Sequence, residues 1–279
     1  MANGEPAQSQ GATVRWRRTD ARTVAATAVF TAFVAAATSV FSVYIPATTG
    51  YFNVGEIMVY VSALLMGPYV GAFAGGVGSM ISDLSLGYPY YAPGTLVIKG
   101  LEGFIVGYLG TRSFPMVTRR GWRFLTVGFG LAFSVALALV GWAFLSGDFA
   151  FTLGGAWSIP AWTLDLYVPT LFWPAAAALV FIVISYVGLR MEAKSGQSIM
   201  SVLAGGSEMV AGYYLYESAV LTLIAPAAVV ASLAPAAEVP FNVAQALIGL
   251  LVSVPLTRSI RSVMGRRMGG DESGPGLRP

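Results

Sequence analysis

Long apolar runs separated by short polar or basic segments dominate the chain. They fall at 22–45, 54–86, 94–111, 123–146, 167–190, 199–225 and 240–258, and about 20 apolar residues suffice to cross a bilayer as a helix. The second run is too long for one crossing, since at the helical rise it would extend about 50 Å. Its middle reads "MGPYVG", where Gly67 and Pro68 allow a tight turn at little cost. Splitting it there predicts eight helices.

The basic residues support that split, because Arg and Lys in short loops collect on the cytoplasmic side. One crossing in 54–86 would put Arg112, Arg119, Arg120 and Arg123 outside; two crossings place fifteen of the sixteen Lys and Arg residues on one face, with Lys99 the exception. The predicted fold is therefore an all-α polytopic protein of the cell membrane with about eight transmembrane helices and both termini cytoplasmic. Residues 1–20 are polar, lack an apolar core ahead of the first run, and read as a cytoplasmic tail rather than a cleaved signal.

Composition removes the main competing classes. A chain of 279 residues that is 56% hydrophobic and 10% charged, with a mean hydropathy of +0.70, is not a water-soluble globule. The 16 basic residues against 13 acidic ones do not indicate nucleic acid, because they lie between apolar runs. With neither cysteine nor histidine, the chain lacks the usual zinc ligands and the base of Ser-His or Cys-His catalysis. No metal site and no enzymatic activity are expected. Nor does it carry a Gly-x-x-x-x-Gly-Lys-Ser/Thr loop, so no cofactor is expected in this chain and its energy must come from a partner or an ion gradient.

Polar residues inside the apolar runs carry the candidate chemistry. Asn53 and Glu56 open the second predicted helix from outside, and Asp83 closes the third near the outer surface. Lys99 and Glu102 lie about 7 and 12 Å down the fourth helix, where an ionisable group costs roughly 3 kcal/mol unless paired, wet or liganded. Glu217 falls in the outer part of the fifth core helix, and Asn242 and Gln245 near the outer end of the sixth. Lys99 with Glu102, Tyr214 with Glu217, and Asn242 with Gln245 are i,i+3 pairs, and Tyr213 is i,i+4 from Glu217, so each pair shares a helix face. All fall in the outer half of the membrane. They predict a polar pocket open to the outside, roofed by the aromatic loop "LGYPYYAPG" with Tyr88, Tyr90 and Tyr91.

Each member also has a plainer reading. Lys99 and Glu102 also read as an internal ion pair, Asp83 as a turn cap, and the loop tyrosines as interface aromatics. Glu208, nine residues before Glu217, falls on the opposite helix face at 100° per residue and reads as a packing or partner residue. Small-residue stripes add a further pattern: Ala28, Ala32 and Ala36 in the first helix, and Gly71, Gly75 and Ser79 in the third. Such stripes allow close backbone approach in lipid. For the third helix intramolecular packing is expected; the first suits packing or a docking face equally.

The stretches "YFNVGEIMVYVSALLMGPYVG", "LGYPYYAPGTLVIKGLEGFIVGYLG", "GSEMVAGYYLYE" and "EVPFNVAQALIGLLVSVPL" resemble the substrate-binding S component of energy-coupling factor (ECF) vitamin transporters, over roughly 22–111 and 197–258. The resemblance implies a six-helix core that captures a water-soluble vitamin from outside. It implies as partners a transmembrane scaffold subunit, docked on the Ala28, Ala32 and Ala36 face, and two ATPases that hydrolyse ATP while the loaded protein topples in the membrane. The implied pocket draws on Asn53, Glu56, Asp83, Tyr88, Tyr91, Lys99, Glu102, Tyr213, Tyr214, Glu217, Asn242 and Gln245.

The chain departs from six helices by an inserted transmembrane hairpin. The expected organisation is a cytoplasmic tail (1–21), core helices 1–4 (22–111), the inserted hairpin (112–196), core helices 5–6 (197–262) and a second tail (263–279). The outer link of the insertion carries Trp157, Trp162 and Asp165, which read either as a lid or as interface residues on a lipid-facing hairpin. Two other classes compete: a stand-alone ion-coupled carrier, with Glu102 or Glu217 as its proton site, and an intramembrane enzyme, for which "GVGS" is a poor stand-in for Gly-x-Gly-Asp. Four acids facing one lysine, with aromatics at the mouth, suit a neutral or cationic flat ligand rich in donors. Riboflavin and thiamine or its pyrimidine precursor both fit.

Overall fold

The structure is a computed structural model, and it describes residues 21–45, 50–111, 119–144, 146–153, 162–190, 193–221, 223 and 238–270. Among these the chain forms eight α-helices: α1 (Ala21–Val40), α2 (Glu56–Met66), α3 (Pro68–Leu86), α4 (Ala92–Thr111), α5 (Arg119–Phe144), α6 (Phe172–Arg190), α7 (Ala193–Leu215) and α8 (Val239–Gly270). A π-helical turn, Tyr216–Leu221, prolongs α7. Most of the two predicted tails, the 112–118 link and Trp157 lie outside the described residues.

The Gly67-Pro68 break is where the sequence places it. Gly67 has φ +88°, a left-handed value that favours a residue without Cβ, and Pro68 occupies the first turn of α3. At the far end Gly87, also at φ +88°, closes α3, with its N–H and that of Tyr88 donated to the Asp83 carbonyl. α2 and α3 therefore form a tight antiparallel hairpin, whose glycines let α4 in. A Cβ on Gly71 would collide with Ala63 and the Gly103 carbonyl, and one on Gly75 with the Lys99 carbonyl. The Gly71, Gly75 and Ser79 stripe is thus an intramolecular packing face.

α1 lies along α3 and is fastened by Ser82, whose hydroxyl donates to the Ala35 carbonyl at 3.0 Å. α4 packs on α7, and α8 closes the bundle against α2 and α7. Val34, Tyr60, Leu64, Ile199, Leu203 and Leu250 belong to one buried cluster at the centre. Two long-range side-chain bonds satisfy carbonyls that helix ends leave open: Gln197 donates to Leu109 at 2.7 Å and Arg261 donates to Leu64. Large apolar side chains such as Phe33, Tyr69, Phe73, Leu101, Trp142 and Leu179 point outward, as expected where the surrounding solvent is lipid. By length and composition α1, residues 123–143 of α5 and residues 239–263 of α8 can each cross a membrane, and α2 and α6 are shorter apolar helices.

Two boundaries differ from expectation. The first helix ends at Val40 rather than 45, because the β-branched and aromatic run "SVYI" leaves it as a strand. α8 runs on to Gly270, past the expected core limit at 262. The larger difference is a four-stranded antiparallel sheet, β1 (Ser42–Ile45), β2 (Gly50–Asn53), β3 (Gly147–Leu153) and β4 (Trp162–Val168), in the order β2-β1-β3-β4. Ser42 pairs with Asn53 and Tyr44 with Tyr51, while Val43 and Tyr44 pair on their other side with Leu153 and Thr152. The α5–α6 pair therefore attaches to the core twice. α5 packs against α7 and α8, Phe133 and Ile184 join the central cluster, and the strands extend the β1–β2 hairpin.

Candidate functional site

A half-open cleft, about 430 Å³ with its solvent-open mouth included, lies where the C-terminal ends of α3 and α7 and the N-terminal ends of α4 and α8 meet β2. Helical and strand periodicities supply its lining. Tyr51 and Asn53, two apart on β2, face one way. Thr95 and Lys99 on α4, Tyr213 and Glu217 on α7 and its π turn, and Glu238 and Asn242 ahead of and on α8 are each four apart, with Gln245 one turn further on. Asp83 from the end of α3 and Tyr88 and Tyr91 from the following loop complete it.

Hydrogen bonds fix much of this lining in place. The Tyr51 hydroxyl donates to Asp83 Oδ1 at 2.5 Å, and its ring lies 4.9 Å from that of Tyr88. The side chain of Asp83 thus holds β2 while its backbone carbonyl caps the turn, and Thr95 adds a hydrogen bond to the same carboxyl. Tyr213 donates to Thr95 Oγ1 at 3.0 Å, Tyr91 bonds Glu217, and Gln245 Nε2 donates to Asn242 Oδ1 at 3.1 Å. Asn53 turns inward to accept the Gly55 N–H at 2.9 Å. Gln245 Oε1 is buried with no partner and is free to accept a hydrogen from a ligand. Burial, reinforced by the neighbouring Asp83 carboxylate, holds the Tyr51 phenol well above the usual tyrosine range; burial and then Glu217 raise Tyr91 likewise. Both phenols therefore stay protonated and act as donors at any physiological pH.

Beneath the cleft, Lys99 is 4% exposed and gathers the buried charges. Its Nζ donates to Glu56 on α2 and to Glu102 Oε2 at 3.1 Å, and lies 5.5 Å from the centre of the Tyr213 ring. Tyr60 from α2 donates to the other Glu102 oxygen at 2.7 Å. Lys99 thus reaches the cleft floor while Glu56 and Glu102 stand behind it, outside the lining. Glu208, which its spacing from Glu217 sets on another face of α7, lies outside the cleft lining. It interacts electrostatically with Glu102 and Lys99, because the Gly205–Gly212 face of α7 packs directly on α4.

Nine of the twelve sequence-predicted pocket residues line the cleft: Asn53, Asp83, Tyr88, Tyr91, Lys99, Tyr213, Glu217, Asn242 and Gln245. Glu56 and Glu102 sit one layer below. Tyr214 lies outside, 43% exposed on the outer face of α7, because the helix widens into a π turn at Tyr216 and aligns Tyr213, not Tyr214, with Glu217. Three lining residues escaped the sequence reading: Tyr51, Thr95 and Glu238. Strand alternation from Asn53 and four-residue spacing from Lys99 and Asn242 could have found them. Ala28, Ala32 and Ala36 on α1 are all exposed.

The apolar-surfaced helical bundle with a polar cleft at one end defines a membrane-embedded helical protein. The family described as "ECF-type riboflavin transporter, S component" matches residues 18–167 and 161–262, and the chain belongs to that family. This is a transport family of vitamin-capturing subunits. A Pyrococcus woesei protein described as an uncharacterized protein in a gap 3' region is 52% identical over 67 residues, 23% of this chain and 45% of that protein. The chain thus spans less than half the length of that curated relative. No solved structure matches it.

Proposed function

We propose that the protein captures riboflavin in this cleft from the outer side of the membrane and hands it to the cytoplasm as the substrate-binding subunit of an ECF importer. The observation that carries this reading is the riboflavin S-component family match, which covers nearly the whole described chain. The lining supports it chemically. Tyr51, Tyr88, Tyr91 and Tyr213 offer aromatic faces to a flat ring system. Asn53, Asn242 and Gln245 offer carboxamides to its polar edge, and Asp83, Glu217 and Glu238 offer acceptors to the hydroxyls of a polyol chain. Lys99, held between Glu56 and Glu102, presents N–H donors at the floor.

The partners follow from the same reading. The exposed Ala28, Ala32 and Ala36 stripe is the face for the transmembrane scaffold, and two ATPases supply the energy that topples the loaded subunit. α5 packs against α7 and α8, and the three alanines stay exposed. Both termini lie in the cytoplasm, and no cofactor resides in this chain.

The excess of carboxylates also suits a cationic ring, which keeps thiamine as a second ligand to test. Native mass spectrometry of the detergent-purified protein, with a thermal-shift screen of riboflavin, thiamine, its pyrimidine precursor and biotin, separates them. Riboflavin at a hundredfold excess over its Kd should stabilise the protein by about 2.7 kcal/mol. A response to thiamine alone, or to none of these, would contradict the proposal.

A further inference from the structure

We propose that the strands of the inserted hairpin are part of the binding apparatus: by pairing β3 with β1 they hold β2, and with it Tyr51 and Asn53, in position to meet the ligand. This rests on the riboflavin reading and assigns the insertion a role in it. β1 and β2 are four residues each. A two-stranded hairpin is marginal on its own, whereas three or more strands support one another. By itself β1 would also leave one edge, a row of backbone N–H and C=O groups, without partners. β3 pairs along that edge opposite Val43 and Tyr44, and is itself paired with β4 over its whole length, from Gly147 with Val168 to Leu153 with Trp162.

The register carries this support directly into the site. Tyr44 pairs with Tyr51 on one side and with Thr152 on the other, so a single β1 residue joins the insertion to the cleft lining. A slip of one residue in the β1–β2 pairing would turn Tyr51 to the opposite face of the sheet, away from Asp83 and Tyr88. The far side of the insertion is fixed as well, since α5 packs on α7 and α8, the helices that bring Tyr213, Asn242 and Gln245 to the cleft. The insertion therefore spans from the helix side of the cleft to its strand side. Ordering β2 before the ligand arrives removes that ordering cost from binding.

The test is a riboflavin titration of the full-length purified protein by flavin fluorescence, with each variant checked by its melting transition. Thr152→Pro with Leu153→Pro removes two successive β3 backbone donors, which point to opposite edges of the strand, and so weakens the pairing with β1. Riboflavin affinity should fall by about tenfold, the scale of ordering two side chains on binding. The proline pair should cost much less in a Tyr51→Ala background but its full tenfold in a Tyr213→Ala background, because effects that pass through one residue couple and independent ones add. A general loss of stability would not distinguish the two backgrounds. The chain has no cysteine, so Val43→Cys with Leu153→Cys, at opposed positions, allows one intramolecular disulfide. It should form on oxidation and leave affinity at the wild-type level or above, and this arm decides the matter where the proline pair does not fold. Unchanged affinity in a folded proline variant, an equal loss in both backgrounds, a disulfide that does not form, or one that abolishes binding would each overturn the proposal. Failure of cooperatively melting wild type to bind riboflavin would instead overturn the riboflavin reading on which it stands.

Discussion

Replacing Lys99 with methionine removes the positive charge that Glu56 and Glu102 share and leaves the packing volume nearly unchanged. In the structure both carboxylates are essentially inaccessible, Glu56 1% and Glu102 0% exposed, and Tyr60 contributes a hydrogen bond only to Glu102. Removing one partner of a buried ion pair costs about 3 to 5 kcal/mol, because the remaining charge has neither water nor a counter-ion. For a chain of this size that corresponds to an apparent melting temperature lowered by about 6 to 20 °C. The triple variant Lys99→Met, Glu56→Gln, Glu102→Gln removes all three charges and should recover most of the loss, since neutral isosteres of buried ion pairs are often close to neutral in stability. The assay is thermal unfolding in detergent followed by intrinsic fluorescence, on single, double and triple variants as a thermodynamic cycle. A Lys99→Met protein melting within a degree of wild type, or a triple variant no better than the single, would refute the reasoning.

Three further outcomes follow from the same geometry. Tyr51→Phe deletes the 2.5 Å bond that ties β2 to Asp83 and leaves a buried carboxylate oxygen without its donor; it should cost about 1 to 3 kcal/mol in stability and weaken flavin binding, and a wild-type melting curve would contradict it. Tyr213→Ala should lose flavin affinity by at least about tenfold, at the scale of a buried aromatic anchor, while the outward-facing Tyr214→Ala should bind as wild type; equal effects in a titration would place the site elsewhere. Ala32→Trp on the exposed α1 stripe should leave melting and flavin binding intact but abolish co-purification with a co-expressed ECF scaffold and ATPases, and an intact complex would move the docking face off α1.

Much of the helical frame was legible because it rests on local chemistry. Gly67 and Pro68 announce the α2–α3 turn through backbone freedom and a fixed φ, and the distribution of Arg and Lys requires that turn independently. The depth of each polar residue followed from the helical rise, which is why Lys99, Glu102 and Asp83 fall near the cleft as expected. What was not legible depends on distant partners. Tyr51 faces the cleft only because β2 pairs with β1, and β1 is braced by a strand more than a hundred residues away. A π turn has no periodicity signature, so the loss of Tyr214 from the face that Tyr213 shares with Glu217 was hidden. Angular spacing along α7 set Glu208 apart from Glu217 but says nothing of which face α4 covers; the small residues Gly205 and Gly212 decide that.

The most direct test of the central claim is a titration of purified, detergent-solubilised wild-type protein with riboflavin, read as quenching of flavin fluorescence by the cleft tyrosines. The account predicts saturable binding of one riboflavin per chain, lost in Tyr213→Ala protein that still melts cooperatively. A titration that stays linear with added flavin, on protein shown to be folded, would contradict it.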